Sequence, residues 1–337
     1  MIVGWKAGSN LNGFASVSRC QGTKYMIDLV ELSRSFCSMN TRIEAIVCVL
    51  EPQRSEAELS LSQVQYLFAE MEKQFSRFHN DSELSKLNQS AGQEFRASLL
   101  LYEIVEAAVN SARLTGGIFD PTILPNLIAA GYDRSFELIK RSRKKPVTNQ
   151  NPSRHTWQDI LMDPKTHSIY LPEGYNLDLG GIGKGWTVDL ASQNLDEFQN
   201  YAVNAGGDII VKGTQADGSP WTIGIEDPLN QKPSLSVLNL TGGAICTSTT
   251  IHRQWWINKI KQHHIIDPRS GLPAESGVIS ATVIAKTATL AETIAKAALI
   301  LGPQDGRNLI EDQNSVEGML VLENGNCLFS SDFPTSL

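Results

Sequence analysis

Apolar and polar positions along the chain show two patterns, one typical of strands and one typical of helices. The run TRIEAIVCVL at positions 41–50 is rich in β-branched residues and predicts a core strand. Over 56–78, apolar residues recur every three or four positions, which predicts a long amphipathic helix packed on a sheet. Asp81 or Ser82 is then expected to cap a short helix that ends near Gly92.

The rest of the chain mixes the same two patterns. Helices are predicted over Leu99–Leu114 and over 289–301, and each is followed by glycine, the usual residue just beyond a helix end. The glycines at 206 and 207 fall inside an apolar run and predict a bulge or a close backbone approach in a strand. Strands are predicted at 201–211, 221–226, 279–285, Glu317–Leu322 and 327–330, the last two as a hairpin around Asn324-Gly325.

Strands and helices therefore alternate irregularly, which predicts a mixed α/β or α+β fold. With 337 residues and neither repeats nor a clear linker, residues 38–337 are expected to form one domain or two intimate subdomains. Residues 1–37 are expected to be a poorly structured extension, because their beginning is polar and rich in glycine and serine. The basic stretch at 131–153, with its charges at 141–145, is expected to be a surface loop.

The amino-acid composition limits the classes of protein to which this chain can belong. Apolar residues make up 41% and charged residues 19%, which is typical of a soluble globular protein. The net charge of −7 argues against non-specific binding of nucleic acid, although a small anionic ligand remains compatible with it. Five scattered cysteines without a CxxC motif indicate neither a zinc site nor a disulfide framework. The first forty residues contain no long apolar run, so we expect a cytoplasmic protein without a membrane segment.

The stretch DLGGIGKGWTVD at 178–189 is the strongest local candidate for a ligand site. Its glycines allow a ligand to approach the backbone, and the start of the following helix favours negative charge. The stretch matches neither a P-loop nor a dinucleotide-binding fingerprint, and the chain lacks GxSxG and HExxH. Five acids also recur along the chain, and four of them stand at predicted element edges within two residues of glycine or proline. Clustered in space they would suit a hard cation and a pyrophosphate, but spacing alone favours simple turn residues. These acids are Asp120, Asp178, Asp208, Asp267 and Glu292.

Six ordered blocks carry a resemblance to a known family. They are SMNT (38–41), SRFHNDSELSKLN (76–88), TGGIFDPT (115–122), DLGGIGKGWTVD (178–189), NAGGDI (204–209) and HHIIDPRSGLPA (263–274). From about residue 38 to the C-terminus, the chain resembles the ApbE-like family of FAD:protein FMN transferases. The resemblance implies an α+β fold of T-fold-like architecture, with mixed sheets and packed helices. It also implies cleavage of the FAD pyrophosphate and transfer of FMN to a Thr or Ser hydroxyl of an acceptor protein, with Mg²⁺ polarising the phosphates and AMP leaving.

The same resemblance assigns expected roles to individual residues. His264 is expected to activate the acceptor hydroxyl as a general base. The carbonyl of Gly181, which a glycine offers as well as an alanine, and the carboxylate of Glu292 are expected to bind the metal. The residues expected to contact FAD are Met39, Phe78, Ile118, Phe119, Asp120, Asp178, Lys184 and Ile265.

Three positions depart from the family pattern. Asn40 stands where the family has glycine in Met-Gly-Thr, which is harmless if the backbone there accepts a side chain. Glu292 and Lys296 stand where the family commonly has Asp and, one turn later, Thr, both ligands of Mg²⁺. A protonated lysine cannot ligate a metal. Lys296 is therefore either one half of an exposed ion pair with Glu292 or a built-in cation at the pocket.

Two alternatives to transfer stay open on these residues. With Lys296 as a built-in cation, the chain would be a flavin-binding homologue with weakened transfer. With water as the acceptor, it would be an FAD pyrophosphatase that releases FMN and AMP.

Overall fold

The computed structural model describes residues 29–141, 155–230, 234–257 and 259–334. Most of the expected N-terminal extension, at 1–28, and most of the expected basic surface loop, at 142–154, lie outside the described residues. In the parts of the chain that are described, no helix is long and apolar enough to cross a membrane.

The structure has these strands. They are β1 (Val30–Ser38), β2 (Thr41–Val49), β3 (Glu94–Arg96), β4 (Leu161–Asp163), β5 (Ser168–Tyr170), β6 (Asn200–Ala205), β7 (Asp208–Lys212), β8 (Trp221–Ile225), β9 (Ser236–Leu240), β10 (Gly242–Thr249), β11 (Gln254–Ile257), β12 (Ile260–His263), β13 (Ile266–Asp267), β14 (Leu272–Pro273), β15 (Val278–Ala285), β16 (Glu317–Leu322) and β17 (Cys327–Phe329).

The α-helices are α1 (Arg54–Phe75), α2 (Glu83–Gln89), α3 (Leu99–Leu114), α4 (Leu124–Ala129), α5 (Phe136–Arg141), α6 (Gly183–Asn194), α7 (Ala288–Leu301) and α8 (Pro303–Glu311). Short 3₁₀ turns lie at Glu51–Gln53 and Trp157–Asp159.

An eight-stranded sheet in the order β1-β2-β6-β7-β10-β15-β16-β17 forms the centre of the molecule. Each neighbouring pair of its strands is antiparallel. Helices α1, α6 and α7 pack on one face, and the hairpin of β8 and β9 covers the other with Trp221, Ile223 and Ile225. The α+β class predicted from the sequence is confirmed.

Helix α7 is an unusually buried element. It lies against β10 and β15, and small alanine side chains line its core face, which lets the helix approach the sheet closely. Glu292 is almost fully buried on this helix. Gly302 ends α7 with a φ of 93°, and Pro303 begins α8, a helix that the sequence pattern did not predict.

Two predictions for the 200–212 and 30–38 regions were wrong. The run 201–211 is not one interrupted strand but two strands, β6 and β7, joined by Gly206-Gly207 with φ of 62° and 106°, as a two-residue hairpin requires. Residues 30–37 belong to the edge strand β1, not to an unstructured extension, because they pair with β2 along its whole length.

The turn between β1 and β2 explains the departure at Asn40. Met39 and Asn40 both have left-handed backbone, with φ of 51° and 56°. Glycine adopts this conformation freely, and asparagine is among the side chains that tolerate it. The turn is therefore kept without the family's glycine.

The end of α1 also differs from its prediction. The helix ends at Phe75, whose side chain is buried, and Ser76 is already extended with ψ of 115°. Phe78 thus lies beyond the helix instead of on its core face. The shorter helix α2 is capped by Ser82, whose hydroxyl accepts the Ser85 N–H at 3.0 Å, so the predicted cap is confirmed.

Candidate active site

One large cavity lies where the C-terminal end of α1, the start of α6 and the middle of α7 meet. Its volume is about 1210 Å³, including the part open to solvent. Turns from distant parts of the chain complete its wall: the β1–β2 turn, the segment after α3 and the segment after β12. The lining therefore comes together only when segments far apart in the chain pack against one another.

The cavity brings together ten of the eleven site residues predicted from the sequence. The exception is Glu292, which lies behind the wall and contacts two lysines that line it. The ten lining residues are Met39, Phe78, Ile118, Phe119, Asp120, Asp178, Gly181, Lys184, His264 and Ile265.

An aromatic wall forms one side of the cavity. Phe78 meets Tyr132 edge to face, with ring centroids 5.9 Å apart, and Tyr132 stacks on Trp255 at 5.4 Å. The Arg77 guanidinium lies over the Phe78 ring, 4.2 Å from its centroid. Phe119 lines the cavity next to Gly181. Flat rings and a planar cation of this kind suit the face of a heteroaromatic ring system.

Asp120 organises the loop after α3. Its Oδ1 atom accepts hydrogen bonds from the Thr122 N–H at 2.8 Å and the Thr122 hydroxyl at 2.7 Å, and its Oδ2 atom accepts the Trp157 N–H at 3.2 Å. Burial raises the pKa of Asp120, and these hydrogen bonds partly oppose the rise. Its carboxylate therefore shapes the cavity wall and lines it at the same time.

Asp178 is held by an arginine that the sequence analysis did not single out. The Arg77 Nε atom lies 2.5 Å from Asp178 Oδ2, and the two side chains are only 8% and 9% exposed. Asp178 Oδ1 also accepts the Gly180 N–H at 2.6 Å, which shapes the glycine turn before α6. This buried pair connects the end of α1 to the glycine turn.

Four charged side chains form a cluster beneath the glycine turn. Lys184 contacts Asp208 and lies 3.3 Å from Glu292 Oε1. Burial disfavours the charge on Lys184, but Asp208 and Glu292 together raise its pKa above the usual value. Glu292 Oε2 also accepts the Gly185 N–H at 2.9 Å. Although burial opposes it, the two lysines and this N–H lower the pKa of Glu292, which is therefore a carboxylate.

Lys296 completes this cluster. Its Nζ atom donates to the Gly181 carbonyl at 2.7 Å and lies 3.7 Å from Glu292 Oε1. Burial lowers the pKa of Lys296, and the attraction of Glu292 opposes that shift. Of the two expectations for this lysine, the exposed ion pair is wrong, because its side chain is only 14% exposed and lines the cavity.

The predicted magnesium ligands do not fit a magnesium ion. Mg²⁺ needs oxygen ligands in near-octahedral geometry. An ammonium already uses the Gly181 carbonyl, and two lysines and a backbone N–H surround the Glu292 carboxylate. In the parts of the chain that the structure describes, no group of three or more His, Cys, Asp or Glu side chains is arranged to hold a metal. In this structure Gly181 and Glu292 are partners of lysine, and the metal-ligand role that the resemblance implies for them stays a prediction.

Two neighbouring histidines have different surroundings. His263 is bonded at both ring nitrogens, to the Ala274 carbonyl at 3.0 Å and to the Ile265 N–H at 3.3 Å. His264 lines the cavity, and its Nδ1 atom has no hydrogen-bond partner among the described residues. Burial lowers the pKa of His264 well below its usual value, and the charges of Arg253 and Lys296 add to this effect. Its imidazole is therefore neutral, with the Nδ1 atom facing no partner among the described residues.

Sequence reasoning gave no site role to several side chains that line the cavity. Arg77, Tyr132 and Arg253 line the cavity with the predicted residues. Arg77 lies inside one of the six blocks, SRFHNDSELSKLN, so the resemblance contained a signal for it. The other two lie outside the blocks.

Comparison with known proteins agrees with this geometry. The model of the ApbE family matches residues 39–320. The chain belongs to the ApbE family.

Several proteins of known name are similar in sequence to this ApbE-family chain, at moderate identity. The FAD:protein FMN transferase of Vibrio cholerae is 28% identical over 281 residues, which cover 82% of this chain and 83% of the relative. The enzyme of the same name from Treponema pallidum is 28% identical over 333 residues, which cover 94% and 91%.

Solved structures of ApbE proteins have the same fold. The ApbE protein of Thermotoga maritima superposes with a TM-score of 0.77 at 28% identity, covering 90% of this chain and 98% of that one. The flavin transferase ApbE of Vibrio cholerae gives the same TM-score and coverage at 26% identity.

Proposed function

We propose that this protein is an FAD:protein FMN transferase whose acceptor is a Thr or Ser hydroxyl of a target protein. The observation that carries the proposal is the single cavity lined by Asp120, Lys184 and His264, which come from three distant segments. The relatives named above support the same activity. A cytoplasmic location stays a prediction from the sequence, which cell fractionation would check.

Different groups in the cavity lining suit the different parts of FAD. The aromatic wall of Phe78, Tyr132 and Phe119 offers rings for stacking on the flavin. Lys184 and Lys296 offer positive charge beside the glycine turn at the start of α6, where a pyrophosphate is stabilised by charge and by the helix dipole. These side chains would orient the pyrophosphate for attack from the open side.

His264 supplies the base for the proposed reaction. The acceptor hydroxyl oxygen attacks the phosphorus that carries the FMN moiety, and the bond from that phosphorus to the AMP oxygen breaks. The hydroxyl proton passes to a ring nitrogen of His264, which burial keeps neutral. AMP leaves with the bridging oxygen, and FMN stays on the acceptor as a phosphoester.

The proposal is tested by labelling. The full-length protein is incubated with FAD and an acceptor domain of a flavinylated protein, and flavin fluorescence is read on a denaturing gel. Covalent fluorescence on the acceptor, with one AMP released per label, is expected. A folded protein that binds no FAD would refute the proposal.

The buried position of Lys296 favours one second candidate, a flavin-binding homologue with weakened transfer. FAD binding without label on the acceptor would support it, and labelling restored by Lys296→Thr with Glu292→Asp would support it further. An FAD pyrophosphatase would instead release FMN and AMP when no acceptor is present. The same labelling reaction, run without acceptor, separates these outcomes.

A further inference from the structure

The Lys296 ammonium lies between the two groups that the resemblance implies as magnesium ligands. Its Nζ atom is 2.7 Å from the Gly181 carbonyl oxygen and 3.7 Å from Glu292 Oε1. We propose that this ammonium takes the place of the divalent cation, so that the FAD pyrophosphate binds in the cavity without Mg²⁺. The inference rests on the proposed function, because FAD is the ligand in question.

The charge balance of the cluster supports this replacement. Lys184 and Lys296 contribute two positive charges, and Asp208 and Glu292 contribute two negative ones. The buried cluster is therefore neutral before any ligand arrives. A divalent cation added at this point would meet two ammonium groups and no uncompensated carboxylate, an arrangement that repels it.

The backbone at Gly181 provides the room for this lysine. A Cβ atom at position 181 would lie 3.0 Å from Lys296 Nζ and 3.0 Å from Phe119 Cε2, closer than nearly all real contacts of such an atom. The glycine and the lysine therefore fit together as a pair. With alanine at 181, either the ammonium or the Phe119 ring would have to move.

The chemistry of an ammonium suits the replacement. A lysine head is a compact positive charge with three N–H donors and binds phosphate as a point charge. One donor of Lys296 is used by Gly181 and another faces Glu292, while the side chain lines the cavity. The remaining donor is available to a phosphate oxygen. This cation is part of the chain and needs no loading from solution.

The proposal is tested by comparing the FAD affinity of the wild-type protein with and without Mg²⁺. The full chain is stripped with EDTA, and FAD binding is titrated by flavin fluorescence in EDTA and again in excess Mg²⁺. We expect Kd values that agree within about twofold. Tightening by Mg²⁺ of about tenfold or more would overturn the inference.

Two substitutions of Lys296 distinguish the effect of its positive charge from the effect of the volume that its side chain fills. Lys296→Thr removes the ammonium, frees the Gly181 carbonyl and leaves a net negative charge. We expect its FAD affinity in EDTA to fall by about tenfold or more and Mg²⁺ to restore much of it. Lys296→Met removes the charge but fills the space, so its affinity should fall without rescue by Mg²⁺. Lys261→Thr, at an exposed lysine, is the matched control and should bind FAD as the wild type does.

The failures of the two proposals are distinguishable. A folded wild-type protein that binds FAD only with Mg²⁺ keeps the transferase proposal and refutes the role of Lys296. A folded wild-type protein that binds no FAD in either buffer refutes the transferase proposal. Lys296→Thr with unchanged affinity in EDTA also refutes the role of Lys296. Because the wild-type titration is decisive by itself, a variant that fails to fold does not remove the test.

Discussion

Arg77 and Asp178 form a buried ion pair that joins the segment after α1 to the glycine turn before α6. The Nε–Oδ2 distance is 2.5 Å, and Arg77 also donates to the Tyr132 carbonyl at 2.8 Å. Asp178 has a second acceptor role, toward the Gly180 N–H. The pair thus holds two walls of the cavity together at the point where the ligand is expected.

Removing one partner of this pair should be costly. Arg77→Met leaves the Asp178 carboxylate buried without its cation, and we expect a loss of about 3–5 kcal/mol in the free energy of unfolding. Urea denaturation followed by circular dichroism measures it. In the double variant Arg77→Met with Asp178→Asn, the charge is gone and Oδ1 can still accept from Gly180, so part of the stability should return. A double variant less stable than Arg77→Met alone would contradict this account.

Two glycines of α6 offer a matched comparison. A Cβ atom at Gly185 would lie 2.6 Å from the Ala288 carbonyl oxygen, a backbone atom of α7, whereas one at Gly183 would meet nothing within 4 Å. Gly185→Ala should therefore cost about 1–3 kcal/mol of stability through overpacking. Gly183→Ala should be neutral or slightly stabilising, because alanine favours the helix. Thermal unfolding of both variants checks this, and equal stability would show that α6 and α7 do not pack this closely.

Two histidines, the buried His263 and the partly buried His264 at the cavity wall, predict a pH dependence of stability. Burial lowers the pKa of both His263 and His264 in the folded state. The unfolded chain therefore binds more protons below about pH 6.5, and stability falls as the pH drops through that value. Each histidine contributes up to about 1.4 kcal/mol per pH unit.

The contribution of one histidine is isolated by substitution. His264→Asn removes one titrating group, so its stability should fall less steeply than that of the wild type between about pH 6.5 and 5. Urea titrations at several pH values measure both slopes. If the unfolding free energies of the two proteins had the same slope against pH, folding would not lower the pKa of His264.

His264 should matter for transfer and not for FAD binding. His264→Ala is expected to reduce the rate of acceptor labelling by about 10²–10⁴-fold, the usual effect of losing a general base, while Kd for FAD stays near the wild-type value. His252→Ala is the control, because His252 pairs with Glu226 at 3.2 Å and does not line the cavity. Labelling that survives in His264→Ala would assign the base to another group.

Cysteine accessibility tests the burial of the sheet. Cys37 is exposed on β1, whereas Cys48 and Cys246 are buried. Burial raises the pKa of Cys48 to about 12, and it raises that of Cys246 well above its usual value. Iodoacetamide should modify Cys37 in the native protein and the other two only after unfolding, as peptide mass spectrometry would detect. Native labelling of Cys246 would contradict the packing of α7 on β10.

Local patterns in the sequence were sufficient for the elements with strong periodicity or distinct end signals. Strand β2, helix α3 with the glycines after it, and the hairpin of β16 and β17 formed as predicted. Each depends on interactions between residues close in the chain: alternation, helix caps and a turn of defined geometry. The six blocks likewise contain 18 of the 27 residues that line the cavity.

Tertiary structure decided what depends on partners far apart in the chain. The pattern at 201–211 predicted one strand, but pairing across Gly206-Gly207 turned it into a hairpin of the central sheet. The sequence was compatible with two roles for Lys296, an exposed ion pair or a cation at the pocket. Because α7 packs close to Gly181, Lys296 bonds to the Gly181 carbonyl and takes the second role. The sequence did not indicate which arginine would pair with Asp178. Burial and charge pairing of this kind arise only when distant segments pack, because a local pattern sets which face is apolar but not what covers it.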